Sequence, residues 1–329
     1  MSRVSISCVV ILAAIVGTPI SVLACDTCGC TFNASGSDEA QTSGPMITTP
    51  TASTLGKGHR SVGFLFEHQR FNPHPAEDIK RLAGEGHDIH GKDHEEFYNV
   101  SVGYGILENL DLYLIAPVVS KATIEGEDQD RLGAKDHATG FGDLRLVGKY
   151  RFWQKGVDAA LLMGVKAPTG ASAKHKPSGD KFELEQQPGS GAWDLTTGLA
   201  VSRRLGAHAS LASAFQYTTR EEGGQEEKLG DVFHYDAGVS YALKPLGERP
   251  NLSVVLELHN EWARRDHNRN DDRALDSGGT VILLAPGLSA QLTDLLSAFW
   301  SMPIPIFQSL GGEHEKLKYE VISGLSWHF

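Results

Sequence analysis

Three cysteines lie close together near the start of the chain, at Cys25, Cys28 and Cys30. Thiolates at this spacing can ligate one soft ion such as Cu(I) or Zn(II), with a fourth ligand from elsewhere. They can equally form a disulfide or redox pair. Because Cys25 directly follows residues 22–24, which resemble a lipidation signal, it can also carry a lipid. The cluster therefore leaves metal binding, redox chemistry and lipid attachment open.

A second set of metal-type side chains lies further along the chain. It consists of His74, His87, His90 and His94, with Asp and Glu residues interspersed. Imidazole and carboxylate groups at such spacing suit Zn(II), Cu(II) or Ni(II). The alternative is a mobile hydrophilic surface loop whose histidines have no specific role.

The elements that must position these groups are indicated by a period of two. From residue 59 to the end, apolar residues alternate with polar ones in segments of about ten residues, which is typical of strands that cross a membrane. About twelve such segments can be recognised, and ten to fourteen strands are compatible with the pattern. The sequence therefore predicts an all-β protein, a transmembrane antiparallel β-barrel of the outer membrane.

The gaps between the segments alternate between long and short. An even number of strands with this alternation places both chain termini in the periplasm and the long loops outside the cell. The long gaps are predicted at about 69–94, 126–139, 170–192, 219–231, 265–278 and 310–315.

Composition and the first residues set further limits. Residues 1–24 have the charged start and apolar core of a signal peptide, which implies export to the outer membrane of a Gram-negative bacterium. Residues 25–58 are expected to form a periplasmic tail or a plug, and residues 59–329 the barrel. The formal net charge of -11 argues against a nucleic-acid partner.

Strand parity also predicts which polar residues face the lumen, because successive side chains point to opposite faces. The predicted lumen-lining residues are Asp143, Arg145, Lys149, Arg151, Lys166, Asp194, Arg204, His234, Asp236, Glu257, His259 and Glu261. Such charges can form a paired network that supports the wall, or the selectivity lining of an aqueous path.

The chain ends in an amphipathic segment whose apolar parity includes Trp327 and Phe329. These aromatic residues are expected to face the lipid. A terminal aromatic residue at this position resembles the signal that outer-membrane insertion machinery recognises, so this machinery is an expected partner.

Residues 140–152 and 164–170 closely resemble a family of outer-membrane transporters described by the MetA pathway of phenol degradation. Residues 191–199, 304–308 and 324–329 fit the same pattern, so the resemblance spans roughly residues 60–329. It implies an outer-membrane barrel that moves small solutes, and the family name suggests an aromatic or hydrophobic one.

These patterns favour a channel or facilitator that passes a small solute passively, with no cofactor required. One alternative is a metal-handling protein, in which the histidine-rich loop captures Cu or Zn outside and the cysteine cluster receives it. A second alternative is a lipid hydrolase acting at the barrel rim. Enzymatic activity is not expected, because no spacing makes a nucleophile and base stand out as a pair.

Overall fold

The computed structural model describes residues 44–73, 75, 77–78, 81, 91–125, 131–267, 277–311 and 315–329. Within these ranges the chain is almost entirely β-structure. Its strands are β1 (Arg60–Phe71), β2 (Gly91–Leu107), β3 (Leu110–Ile124), β4 (Lys135–Phe141), β5 (Leu144–Gln154), β6 (Asp158–Ala167), β7 (Asp194–Leu205), β8 (Ala209–Arg220), β9 (Val232–Ala242), β10 (Asn251–Ala263), β11 (Gly279–Gln291), β12 (Leu296–Ser301), β13 (Ile304–Leu310) and β14 (Leu317–His328).

These strands form one closed antiparallel sheet. Apart from β4 with β5, β12 with β13 and β13 with β14, each described strand pairs with its neighbour in the chain, and β1 pairs with β14 to complete the ring. β4 and β5 pair with successive parts of β3, and β12 and β13 with successive parts of β11. Each of these two pairs is therefore a single interrupted wall strand. The prediction of a twelve-stranded barrel is confirmed.

Prolines explain both interruptions. The N–H of Gly142 donates to the carbonyl oxygen of Pro117, and the N–H of Met302 donates to that of Pro286, each at 3.0 Å. A proline has no N–H to donate in return, so the ladder cannot continue in both directions at these points. One wall strand therefore stops at Phe141 and resumes at Leu144, and the other stops at Ser301 and resumes at Ile304.

Alternation along the strands separates an apolar exterior from a polar interior. On β2, Val102 is 51% exposed, whereas its neighbours Ser101 and Gly103 are buried. The same pattern holds for Val62 and Phe64 on β1, as the sequence predicts. Large apolar side chains thus face outward, where a lipid bilayer would cover them.

Short turns lie at one end of the barrel and long connections at the other. The start of β1 and the end of β14 both lie at the short-turn end. Arg60 and Phe329 exchange backbone hydrogen bonds of 2.9 and 3.0 Å there. No helix formed by the described residues has the length and apolar character needed to cross a membrane.

One predicted loop needs correction. The gap at 126–139 was expected to be a loop, but Lys135–Phe141 forms β4, paired with the extended end of β3. The outward residues of β4 before the interruption are Lys135, His137 and Thr139, which are exposed and polar. A strand that rises above the apolar belt has no apolar alternation, so the sequence pattern cannot reveal it.

Candidate functional site

The lumen is the candidate site, and most residues predicted to line it lie on its inner face. Asp143, Lys149, Arg151, Asp194, His234, Asp236 and Glu257 are buried there, and Arg145, Lys166, His259 and Glu261 are half-buried. Their inward direction follows from the pleat of the strands that carry them.

Arg204 is the exception. It lies on the inward parity of β7, yet its side chain is exposed at the short-turn rim. There its guanidinium donates to the carbonyl oxygens of Gly206 and Leu246, each at 3.1 Å. The prediction that Arg204 lines the lumen is wrong, because a residue one position from the end of a strand can turn toward solvent.

Residues 44–56, which we call the plug segment, cross the lumen ahead of β1. All but Pro45 and Thr48, which are half-buried, are buried. Gly44 donates to Ser210 at the short-turn end of β8 (2.6 Å), and Leu55 donates to Asp111 at the same end of β3 (2.9 Å). Residues 44–56 of the predicted tail or plug thus lie inside the barrel.

Between these two points the plug segment is held at half-height by Glu257, the midpoint of β10. The carboxylate accepts hydrogen bonds from the consecutive backbone N–H groups of Ile47, Thr48 and Thr49, at 2.8 to 3.2 Å. Three donors converging on one carboxylate stabilise its charge away from water. The hydroxyl of Thr48 lies 2.9 Å from Nε2 of His259.

The opposite side of the plug segment is held by Lys149. Its ammonium group donates to the carbonyl oxygen of Ser53 at 3.1 Å, and it lies in register with Asp111 across the strand pair. The ammonium also lies 5.7 Å from the ring centre of Tyr113, whose hydroxyl donates to Asp111. Burial of an unpaired ion would cost several kcal/mol, so this lysine is stabilised by its acceptors.

At the other end of the barrel, the connection between β6 and β7, residues 168–193, folds inward. Phe182, Leu184 and Gln187 of this connection are buried. The amide of Gln187 bonds the backbone of Lys174 and Phe182, which fixes the connection against itself. We call this segment the inner loop.

Asp143, at the interruption between β4 and β5, fastens the inner loop to the wall. Its carboxylate accepts hydrogen bonds from the N–H groups of Gly170 and Ser190, both at 2.8 Å, and from the Ser190 hydroxyl at 3.0 Å. A Cβ on Gly170 would come within 2.6 Å of the Gly142 backbone, so only glycine permits this approach. Lys166 adds a contact of 2.6 Å to the Ser190 hydroxyl.

A cavity of about 30 Å³ lies between the inner loop and the inner faces of β1, β2, β3, β5 and β6. It is lined by Glu67, Phe97, Val119, Arg145 and Lys166, among other residues. A void of this size holds one or two water molecules and no larger solute. The plug segment and the inner loop thus both occupy the lumen as the described residues show it.

Two histidines complete the polar lining. His234 lies 3.0 Å from Glu261, and His259 lies 2.8 Å from Asp236. In both pairs the partners lie directly opposite each other on β9 and β10. These histidines are thus engaged with carboxylates across one strand pair.

The predicted metal ligands are mostly outside the described residues, namely Cys25, Cys28, Cys30, His74, His87 and His90. His94 is described and lies on the outer face of β2, with Nδ1 3.0 Å from Asp93. Its ring neighbours those of His68 and His137, at centroid distances of 5.6 and 6.1 Å. Within the described ranges, no three His, Cys, Asp or Glu residues are arranged to hold a metal ion.

Sequence reasoning missed the residues that close the lumen. Neither the plug contacts of Glu257 nor the latch at Asp143 could be read from parity alone, since both bind segments without a regular period. One available signal was the presence of the large apolar residues Met46, Ile47 and Leu55, which are uncommon in a solvated tail.

At the C-terminus, Phe329 is exposed on the outside and Trp327 lies on the same outward parity. Trp327 pairs directly with Val62 on β1 and with Leu296 on β12. The terminal aromatic residues thus lie at the seam where the first and last strands meet. Their part in assembly remains a prediction.

A comparison with known protein families finds one that matches this chain. Residues 89–302 match the family described as "Putative MetA-pathway of phenol degradation". No curated protein sequence matches the chain.

A solved structure shares the fold. The COG4313 outer membrane channel from Pseudomonas putida F1 superposes with a TM-score of 0.62 at 13% identity, covering 86% of this chain and 100% of that one. The NanC porin gives a TM-score of 0.45 at 9% identity, covering 82% and 98%. The beta domain of the Bordetella autotransporter BrkA gives 0.47 at 10% identity, covering 83% and 100%.

Proposed function

This chain belongs to the family described as "Putative MetA-pathway of phenol degradation", and we propose that it is an outer-membrane channel that passes a small solute passively. The observation that carries the proposal is how the lumen is filled. Wall side chains do not fill it alone; the plug segment and the inner loop occupy it, and both are held by hydrogen bonds that can break and re-form. A path would open when these segments move.

Two features support this reading over a barrel whose interior is only structural. The plug segment is rich in small residues. Its withdrawal would leave a lumen lined by the polar groups that now bind it. The inner loop is fastened by polar contacts that can break and re-form, among them those of Asp143 with Gly170 and Ser190 and that of Lys121 with the carbonyl oxygen of Glu185 at 2.6 Å. Passive channels of this kind need no cofactor and no catalytic residue.

The same fold supports residence in the outer membrane. The apolar exterior suits contact with lipid, and the ring is closed by the pairing of β1 with β14. The solute enters from one end of the barrel and leaves by the other, down its gradient.

The experiment is solute flux into liposomes that contain the purified full-length protein. Swelling in an iso-osmotic solution of a small polar solute, such as erythritol, should exceed that of protein-free liposomes. A variant lacking residues 44–55 should swell faster, provided that it still migrates on gels as a folded, heat-modifiable barrel. If neither protein admits any solute, the chain is a closed barrel and the proposal is wrong.

A further inference from the structure

A groove of about 550 Å³ lies on the outer face of the barrel, across β7 to β11. Outward-facing apolar side chains line it, namely Val201, Leu211, Val239, Leu256, Leu258 and Leu284. Its volume lies within the range of pockets that bind small molecules, roughly 300–1,000 Å³. The groove faces away from the lumen, so it is separate from the path proposed for the solute.

Two small residues create the groove. Ser213 on β8 and Ala237 on β9 lie directly opposite each other, and both face outward. The next outward pair toward the long-loop end consists of Phe215 and Tyr235, whose rings lie 4.7 Å apart. Gly238, at an inward position, also lines the groove, which therefore reaches down to the backbone of the wall. The result is a depression in the apolar surface with a rim of large side chains.

One charged residue of the outer face lies in this apolar lining. Arg203 faces outward on β7, two positions before the strand ends at Leu205, and lies directly opposite Leu211. Its guanidinium is exposed and forms no ion pair or hydrogen bond with the part of the chain that the structure describes. A cation on the lipid face is least costly near the membrane interface, where it meets polar groups of the lipid. The counterion that suits Arg203 is therefore one that the membrane supplies.

The short-turn rim beside Arg203 is basic. Lys155, Arg204 and Lys244 are exposed in or next to the turns that join β5 to β6, β7 to β8 and β9 to β10. Glu248 is the exposed acid among the described residues of these three turns. The chain as a whole has a formal net charge of -11, so this rim is a local exception. Basic side chains near a membrane surface attract anionic lipids.

We propose that this groove binds one anionic phospholipid. The phosphate accepts hydrogen bonds from the guanidinium of Arg203, whose planar fork suits two phosphate oxygens at once. One acyl chain lies in the groove over Ser213 and Ala237, against the apolar side chains that line it. The short-turn end is expected to face the periplasm, where the leaflet of the outer membrane consists of phospholipid. The site goes beyond the proposed passage of a solute and does not depend on it.

Charge favours a lipid over a second copy of the chain as the occupant. A twofold contact through this face would bring the same surface of both copies together. Two basic rims would then lie beside each other and repel, with Arg203 of each copy still lacking a counterion. An anionic phospholipid supplies both the phosphate for Arg203 and the apolar chain for the groove.

The first test maps where lipid lies on the wild-type protein. Full-length protein is placed in phosphatidylcholine nanodiscs that contain a small fraction of phosphatidylglycerol with a photoreactive diazirine midway along one acyl chain. After illumination, the labelled peptides are identified by mass spectrometry. We expect β7 to β10 to be labelled at least about threefold more than β1 and β2, whose outward faces are also apolar. Equal labelling around the barrel would show a general lipid shell and overturn the inference.

Variants test the two parts of the site separately. Arg203→Gln removes the phosphate ligand, and Ala237→Phe fills the groove. Each should lower the labelling of β7 to β10 at least about threefold, provided that the variant still migrates as a heat-modifiable barrel. Lys57→Gln removes an exposed cation elsewhere at the short-turn end, and Ala116→Phe enlarges an outward residue of β3. These two matched controls should leave the labelling unchanged.

Competition identifies the head group. Unlabelled phosphatidylglycerol should reduce the labelling of β7 to β10 in the wild type, whereas the same amount of added phosphatidylcholine, or inorganic phosphate in the buffer, should not. Equal competition by phosphatidylcholine would overturn the assignment of an anionic lipid. Unchanged labelling in both folded Arg203→Gln and folded Ala237→Phe would overturn the site itself. Solute flux is not measured in any of these experiments, so their failure leaves the channel function standing.

Discussion

Glu257 and Thr48 are joined twice: one carboxylate oxygen accepts hydrogen bonds from both the backbone N–H and the hydroxyl of Thr48, each at 3.2 Å. The partners are separated by more than two hundred positions in the chain. A residue at the midpoint of a wall strand thus holds a segment that precedes the barrel. This contact is the main reason to regard the plug segment as a gate.

Replacement of this carboxylate should loosen the gate. In Glu257→Gln, one acceptor oxygen becomes an NH₂ group that faces backbone donors, and hydrogen bonds to a charged group are worth about 1.5–3 kcal/mol each. We expect faster hydrogen exchange in residues 44–56 and a higher conductance in planar bilayers. Glu248→Gln, at an exposed turn, should change neither. Unaltered exchange in Glu257→Gln would show that the plug segment is held by other contacts.

The latch of the inner loop can be tested at Asp143. In Asp143→Asn, one of the two acceptor oxygens that bind Gly170 and Ser190 is lost. The backbone amides of these two residues should exchange at least about tenfold faster, which corresponds to a loss of about 1.4 kcal/mol. Asp180→Asn, an exposed change in the same loop, serves as the control. Equal exchange in both variants would contradict the latch.

The long-loop end should respond to pH through Asp266. The pKa of Asp266 is raised to about 7, chiefly by burial; the hydrogen bond from the Gly230 N–H at 2.6 Å lowers this pKa and the nearby Glu185 carboxylate raises it. A raised pKa means that the closed loop holds a proton that an opened loop would release. The closed arrangement is therefore most stable below about pH 4 and loses stability as the pH rises through about 7.

Hydrogen exchange of the backbone around Gly230 and Asp266 measures this effect. After correction for intrinsic rates, protection should fall between pH 5 and pH 8 in the wild type. Asp266→Asn should remove the dependence, since an amide does not titrate. Persistence of the same pH profile in that variant would assign the effect to another group.

Assembly should depend on the last residue. Phe329 is exposed on the outer face and exchanges backbone bonds with Arg60, which closes the seam of the barrel. Deletion of Phe329, or Phe329→Asp, is expected to lower the amount of protein in the outer membrane, measured by quantitative immunoblotting of membrane fractions. Lys318→Asp, exposed on the same strand, is the control. Full recovery of the deleted protein in the membrane would contradict this role.

The cysteine cluster gives a separate prediction. If Cys25, Cys28 and Cys30 ligate Cu(I) as thiolates, binding should release protons and weaken as the pH falls. Triple Cys→Ser should abolish Cu(I) binding in calorimetric titrations, and mass spectrometry would show whether Cys25 carries a lipid. No binding tighter than roughly 10 μM, about 7 kcal/mol, would retire the metal hypothesis.

The sequence by itself determined the architecture. A period of two with an apolar parity defines both the strands and their outward face, as Val100 and Val102 show, because the pleat leaves no freedom in side-chain direction. The wall count of twelve and the inward placement of Lys149 and Asp236 follow from the same rule.

Only the tertiary structure decided what fills the lumen. The plug segment and the inner loop have no period, and their positions depend on contacts between residues far apart in the chain, such as Glu257 with Thr48 and Asp143 with Ser190. Parity likewise gives the face of each charge but not its neighbour across the barrel. Closure of the sheet brings distant strands to face each other, which places Glu257 and Lys149 on opposite sides of the plug segment.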